Sequence, residues 1–102
     1  MLDIKEEAKK YVGLMDILWR DLDNAIKLGG DYRRVAPRCI ENYREAIVCL
    51  LKCYPDMRPD NFDLPFLKTK PIGDLSKREL GEWRRHVSYI RGYLDNFIKG
   101  RR

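Results

Sequence analysis

The only histidine of this 102-residue chain, His86, lies in "RELGEWRRHVSYIRGYL", residues 78–94, directly after Arg84 and Arg85. Imidazole titrates near neutral pH and can take or give a proton, and guanidiniums hold phosphate oxygens, so the three together would suit cleavage of a phosphodiester. A helix through this stretch argues for a quieter role. With Leu80 and Trp83 on the core side, His86 falls on the flank before Val87, and Glu82, one turn earlier, is placed to pair with it. His86 is the one catalytic candidate, with a half-exposed surface histidine as the competing reading.

The basic residues sort into rows. Lys77, Arg84 and Arg91 recur every seven residues on one flank, Arg78 and Arg85 lie beside them on the outer face, and Lys99, Arg101 and Arg102 extend the charge. Such a ridge would track the phosphates of RNA or DNA, with Trp83, Tyr89 or Tyr93 near enough to stack on an exposed base. Glu79, Glu82 and Asp95 interrupt it, as on any solvated helix. A second anion site is predicted at the turn into the preceding helix, where Arg33, Arg34 and Arg38 surround Asp31 and free backbone amides. There the competing reading is a cap by Asp31 with exposed arginines.

Other chemistry has less to draw on. Cys39, Cys49 and Cys53 are odd in number and form no Cys-x-x-Cys pair, and Cys49 and Cys53 belong to the apolar run "IVCLLKCY". Zinc would need both thiolates plus His86 or Cys39, so packed thiols are expected, with no metal and no cofactor. Glu6, Glu7, Asp16, Asp21 and Asp23 are mixed with lysines and lack a Glu-x-x-His pair, and they read as solvated surface. No glycine-rich phosphate loop or Gly-x-Ser-x-Gly elbow occurs.

The elements that would position these groups are helices. "GGDY" at 29–32 and "YPDMRPDNFDLPFLKTKPIGD" at 54–74 divide the chain into three stretches. Ile4, Ala8, Tyr11, Met15, Leu18, Leu22 and Ala25 alternate steps of four and three; Ala36, Ile40, Tyr43, Ile47, Leu50 and Tyr54 do the same, as do Leu80, Trp83, Val87, Ile90, Leu94 and Phe97. Gly29, Pro55 and Gly100 mark stops, Pro37 suits a first turn, and Ser76 with Glu79 forms a capping box. The prediction is an all-α single domain over 1–102, an antiparallel bundle of three long helices at about 3–29, 36–54 and 75–99 with a proline-rich 55–74 loop. Val12, Leu14, Trp19, Ile26, Leu28, Val48, Leu51, Tyr89 and Ile98 widen the apolar stripes. Phe62, Leu64, Phe66 and Leu67 of the loop would cover part of that surplus and a second copy the rest, so a homodimer is expected.

Composition sets outer limits. With 44% hydrophobic and 36% charged residues and no apolar run near the ~18 residues a span requires, no membrane segment is predicted. "MLDIKEEAKKYV" lacks the basic start and apolar block of a secretory leader, so a cytoplasmic location is expected. Glutamine is absent, and the wealth of Lys, Arg, Glu and Tyr matches heat-adapted proteins. Of the net +5, most lies in residues 74–102, which hold eight bases against four acids. That end favours an anionic partner.

Residues 20–54, "RDLDNAIKLGGDYRRVAPRCIENYREAIVCLLKCY", resemble the front half of HEPN-superfamily domains, in which a short "g-x-Y" turn precedes a helix bearing "A-x-x-x-x-x-x-Y-x-x-A-x-x-x-L-L". The matching residues are Gly30, Tyr32, Ala36, Tyr43, Ala46, Leu50 and Leu51. The resemblance implies a dimeric helical domain, some of whose relatives are metal-independent ribonucleases while others bind nucleotide, RNA or a partner protein. The catalytic relatives carry an arginine, four to six residues, then a histidine. Here Arg78 and His86 are separated by seven residues and about 80° of helix, so a non-catalytic relative is implied.

The expectation is a small non-catalytic binding or assembly module that takes nucleic acid or another anion on its last helix. The alternatives are a metal-independent ribonuclease of HEPN type using His86 with Arg78 or Arg85, and a structural bundle whose "NFDLPFL" segment docks on a protein partner.

Overall fold

A computed structural model describes residues 3–29 and 37–100, and the described residues form four α-helices with no strand. Helix α1, Ile4–Leu28, begins at Asp3, whose carboxylate accepts from the Lys5 amide, and Glu6 and Glu7 set negative charge on its positive end. Gly29 ends it at φ 63°, ψ −157°, a backbone region that glycine alone enters without strain. Helix α2, Arg38–Cys53, follows Pro37 and stops before Pro55. Helix α4, Lys77–Ile98, carries the complete capping box, the Ser76 hydroxyl accepting from the Glu79 amide while the Glu79 carboxylate accepts from the Ser76 amide. Lys70 adds an ion pair to Glu79 at 3.0 Å, and the Ser76 amide and then this lysine hold the Glu79 carboxyl below the usual range.

Between α2 and α4 the predicted loop is instead a chain of short helical pieces: a 3₁₀ turn at Pro59–Phe62, helix α3 at Phe66–Thr69, and a second 3₁₀ turn at Ile72–Asp74. The reason is geometric. Tyr43 near the start of α2 meets Trp83 early in α4, and Tyr54 at the end of α2 meets Phe97 near the end of α4, so the two helices run the same way. The chain must therefore travel back along α2 before α4 begins, and it does so with its backbone bonded in local turns and Phe62, Leu64, Leu67 and Leu75 in the core. The Tyr43 hydroxyl donates to the Phe62 carbonyl at 2.9 Å, fixing this segment to α2. Phe62 is 5% exposed, which removes it from any docking surface.

Helix α1 runs opposite to both others. Tyr11 donates to Glu45 and Lys52 pairs with Glu7 toward α2, while on the α4 side Asp16 meets Arg91 and Asp23 meets Arg84. Trp83 lies at the centre, wholly buried, with the ring of Tyr43 edge-on at 6.0 Å. Val12, Leu14, Ile26 and Ile98 are half-buried against the chain's own core, so the apolar surplus that asked for a second copy shrinks to scattered residues such as Trp19, Leu28, Val48 and Tyr89. No described helix is long and apolar enough to cross a membrane.

Candidate functional site

At 100° per residue, α4 presents three kinds of surface around its circumference. Its core stripe is Leu80, Trp83, Val87, Ile90 and Leu94. On the flank facing α1, Arg84 is bonded to Asp23, and the Arg91 Nε donates to Asp16 at 2.9 Å, with Asp95 at 3.9 Å from the same guanidinium. Arg84 also lies over the Trp19 ring, 5.7 Å from its centroid. Lys27, then Arg84, hold the Asp23 carboxyl below the usual carboxylate range. The predicted phosphate ridge is thus corrected: Arg84 and Arg91 face carboxylates of α1 that the sequence pattern assigned to open solvent. Helix-to-helix register, which brings residue 16 to 91 and 23 to 84, is not written in the spacing of either helix. Of that row Lys77 remains exposed and unpaired among the described residues.

The outer face differs. Arg78, Gly81, Arg85, Ser88, Tyr89, Gly92 and Asn96 share an arc of about 100°. Neither Arg78 nor Arg85 forms an ion pair with a described residue, although Glu82 borders the shallow pocket between them. One and two turns further on, Tyr89 is 53% exposed and Tyr93 43% exposed, large fractions for aromatic rings. A groove of about 220 Å³ runs along Ser88, Tyr89, Gly92, Tyr93 and Asn96. It includes Gly92, and Gly81 lines the neighbouring pocket between Arg78 and Arg85: a Cβ at either would meet no atom within 4 Å, and both have ordinary helical φ. Each costs the helix about 1 kcal/mol relative to alanine, and no close contact among the described residues requires it.

His86 sits beside this face with its ring edge-on to Phe62 at 6.3 Å and tilted against Tyr89 at 6.4 Å. The predicted pairing with Glu82 is not formed. Nδ1 is buried without a hydrogen-bond partner, and burial pushes the imidazole's pKa down, opposed by Glu82 and helped by Arg85. The ring's aromatic neighbours, not a carboxylate, set its orientation. Burial thus favours the neutral imidazole, and no described carboxylate is bonded to it.

The remaining candidates separate. Cys49 and Cys53 are buried free thiols, and burial pushes Cys49 up to about 12, so neither is a nucleophile. The described His, Cys, Asp and Glu residues make no cluster of three suited to a metal. Arg38 is the exposed first residue of α2, while Arg33, Arg34 and Asp31 lie outside the described residues, as do Arg101 and Arg102. A pocket of about 340 Å³ beside Tyr43, Ile47, Phe62 and Leu67 is rimmed by Arg44 and Lys68 against Asp60 and Asp63, a balance that favours no anion. Missed by sequence reasoning was Trp19, which was assigned only to apolar surplus. Its offset of three from Asp16 and four from Asp23 was the available sign that it lies among paired charges. Comparison with family models, with curated proteins and with solved structures yields no match.

Proposed function

We propose that this chain is a non-catalytic binding module, a bundle of three long helices with α1 running opposite to the parallel α2 and α4, that takes single-stranded nucleic acid on the outer face of α4. One observation carries it. Arg78 and Arg85, which form no ion pair among the described residues although Glu82 lies between them, lead directly into the exposed rings of Tyr89 and Tyr93 beside Gly92. Guanidiniums outside an ion pair attract phosphates, and the net +5 of the chain has the same sign. Tyrosines one turn apart, about 6 Å along the axis, offer platforms to successive bases. A duplex would hide those base faces inside its stack, so a single strand is the ligand that uses both halves of the surface. His86 acts here as packing for Tyr89 and not as an acid or base.

Fluorescence anisotropy of a labelled dT oligomer and a U oligomer tests this directly. Binding that weakens linearly in log salt and disappears in Arg78→Glu/Arg85→Glu supports the reading. Absence of binding to both oligomers at low salt ends it, as does a solution dimer whose interface covers Tyr89 and Tyr93.

A further inference from the structure

On the α1 side of the same outer face, Asp16, Trp19, Ser88 and Arg91 enclose a separate pocket of about 190 Å³. It adjoins the tyrosine groove through Ser88, which lines both. It is smaller than the ~300–1,000 Å³ sites that hold drug-sized molecules, and suits one planar ring system. Trp19 is 39% exposed, so part of its indole is open to a stacking partner. Arg84 and its partner Asp23 lie on the side of Trp19 one turn later in α1, and Asp16 with Arg91 on the side one turn earlier. The aromatic plane is therefore bracketed by two ion pairs. One supports the ring, and the other stands where the edge of a stacked base would come.

We infer that this pocket takes a guanine base of the bound strand, an inference that rests on the nucleic-acid reading above. The hydrogen-bonding inventory decides among the bases. Asp16 and Arg91 are half exposed and joined by a contact from Nε to Oδ1, and Asp95 lies 3.9 Å from Nη1, which leaves the second carboxylate oxygen and the Nη2 amino group open. The pocket thus offers an acceptor beside an amino donor. Guanine alone has two adjacent donors, N1–H and the N2 amino group, next to two acceptors, O6 and N7. The carboxylate of Asp16 accepts from the first pair, Arg91 donates to the second, and Trp19 stacks on the ring. Adenine and cytosine each present a single amino donor beside acceptors, and uracil or thymine a single N–H between two carbonyls, so none gives the Asp16 carboxylate the two adjacent donors that guanine does. Such edge and face contacts are the means by which unstacked bases of single strands are read.

The test compares dT oligomers carrying one central dG, dA, dC or inosine, with anisotropy as the readout. The dG oligomer is expected to bind about tenfold more tightly than all-dT, with inosine, which lacks the N2 amino group, in between. Asp16→Asn, which keeps the shape, should erase the dG preference while leaving all-dT affinity unchanged. Trp19→Ala should erase it as well. Equal affinity for all four oligomers, or a dG preference intact in Asp16→Asn, overturns the guanine pocket while the strand-binding reading stands. Should no oligomer bind, GMP titrated against tryptophan emission separates the two: quenching by GMP and not by UMP or AMP keeps the pocket, and no quenching removes it.

Discussion

Helix α4 carries two pairs of arginines seven residues apart, and they have different fates. Arg84 and Arg91 turn toward α1 and meet Asp23 and Asp16; Arg78 and Arg85 turn outward and form no ion pair among the described residues, with Glu82 bordering the pocket between them. Residue type, helix and spacing are the same for both. What separates them is the location of the opposite charge. The first pair has its counterion built in and fastens two helices, and the second makes no ion pair among the described residues. A basic helix is thus not one electrostatic object, and counting its cations overstates what is available to a partner.

The comparison breaks first under charge reversal. Arg78→Glu/Arg85→Glu should weaken dT-oligomer binding on the order of a hundredfold and lower the salt slope by about 1.4, while Arg84→Gln/Arg91→Gln retains binding. Anisotropy titrations at several salt concentrations measure both. Equal losses from the two pairs would erase the distinction. Next, Tyr89→Ala should remove about 1–3 kcal/mol of binding and leave the melting temperature nearly unchanged, because the ring is mostly in water. Affinity and thermal melting on the same sample decide it.

A third substitution sets stability against binding. Gly92→Ala should stabilise the protein by about 1 kcal/mol in urea titration, since its Cβ meets nothing and its φ is helical, yet weaken strand binding by filling the groove floor. A variant both more stable and equally able to bind would show that the groove at Gly92 is not used.

The smallest effect sharpens the paired flank. Because the Asp23 carboxyl is held below its ordinary value by Lys27 and Arg84, the stability it supplies is present above about pH 4 and is lost as pH falls through the folded-state value. Arg84→Gln should lower the melting temperature at pH 7 and have less left to lose on acidification. Melting curves between about pH 7 and 2 show this as convergence of variant and parent at the acid end.

Much of the architecture was legible from spacing. The predicted 3–29, 36–54 and 75–99 stretches correspond to Ile4–Leu28, Arg38–Cys53 and Lys77–Ile98, because Asp3, Gly29, Pro55 and the Ser76–Glu79 box are local signals whose chemistry acts within one turn. The stripe from Leu80 to Leu94 is buried as its period required. The 55–74 segment was legible in part: Phe62, Leu64 and Leu67 were expected to cover the bundle and are buried, but prolines signal interruption without announcing the short helical turns that the chain then forms. Its burial follows from the parallel course of α2 and α4, a long-range fact. The site was legible only in part. Arg85, Tyr89 and Tyr93 can be placed on the outer face from helical angle alone, but the neutralisation of Arg84 and Arg91 needs the register of a helix some sixty to seventy-five residues distant in the chain.

The two tryptophans lie on opposite sides of this division. Trp83 is sealed in the core with its indole N–H unbonded, and Trp19 meets water beneath Arg84. Their emission should separate accordingly, Trp83 at shorter wavelength and dark to iodide, Trp19 further to the red and open to that anion. Unfolding must move the first component, while a ligand at the α1–α4 edge can move only the second. The native chain therefore carries two optical channels, one reading integrity and one reading occupancy, in a single unlabelled sample.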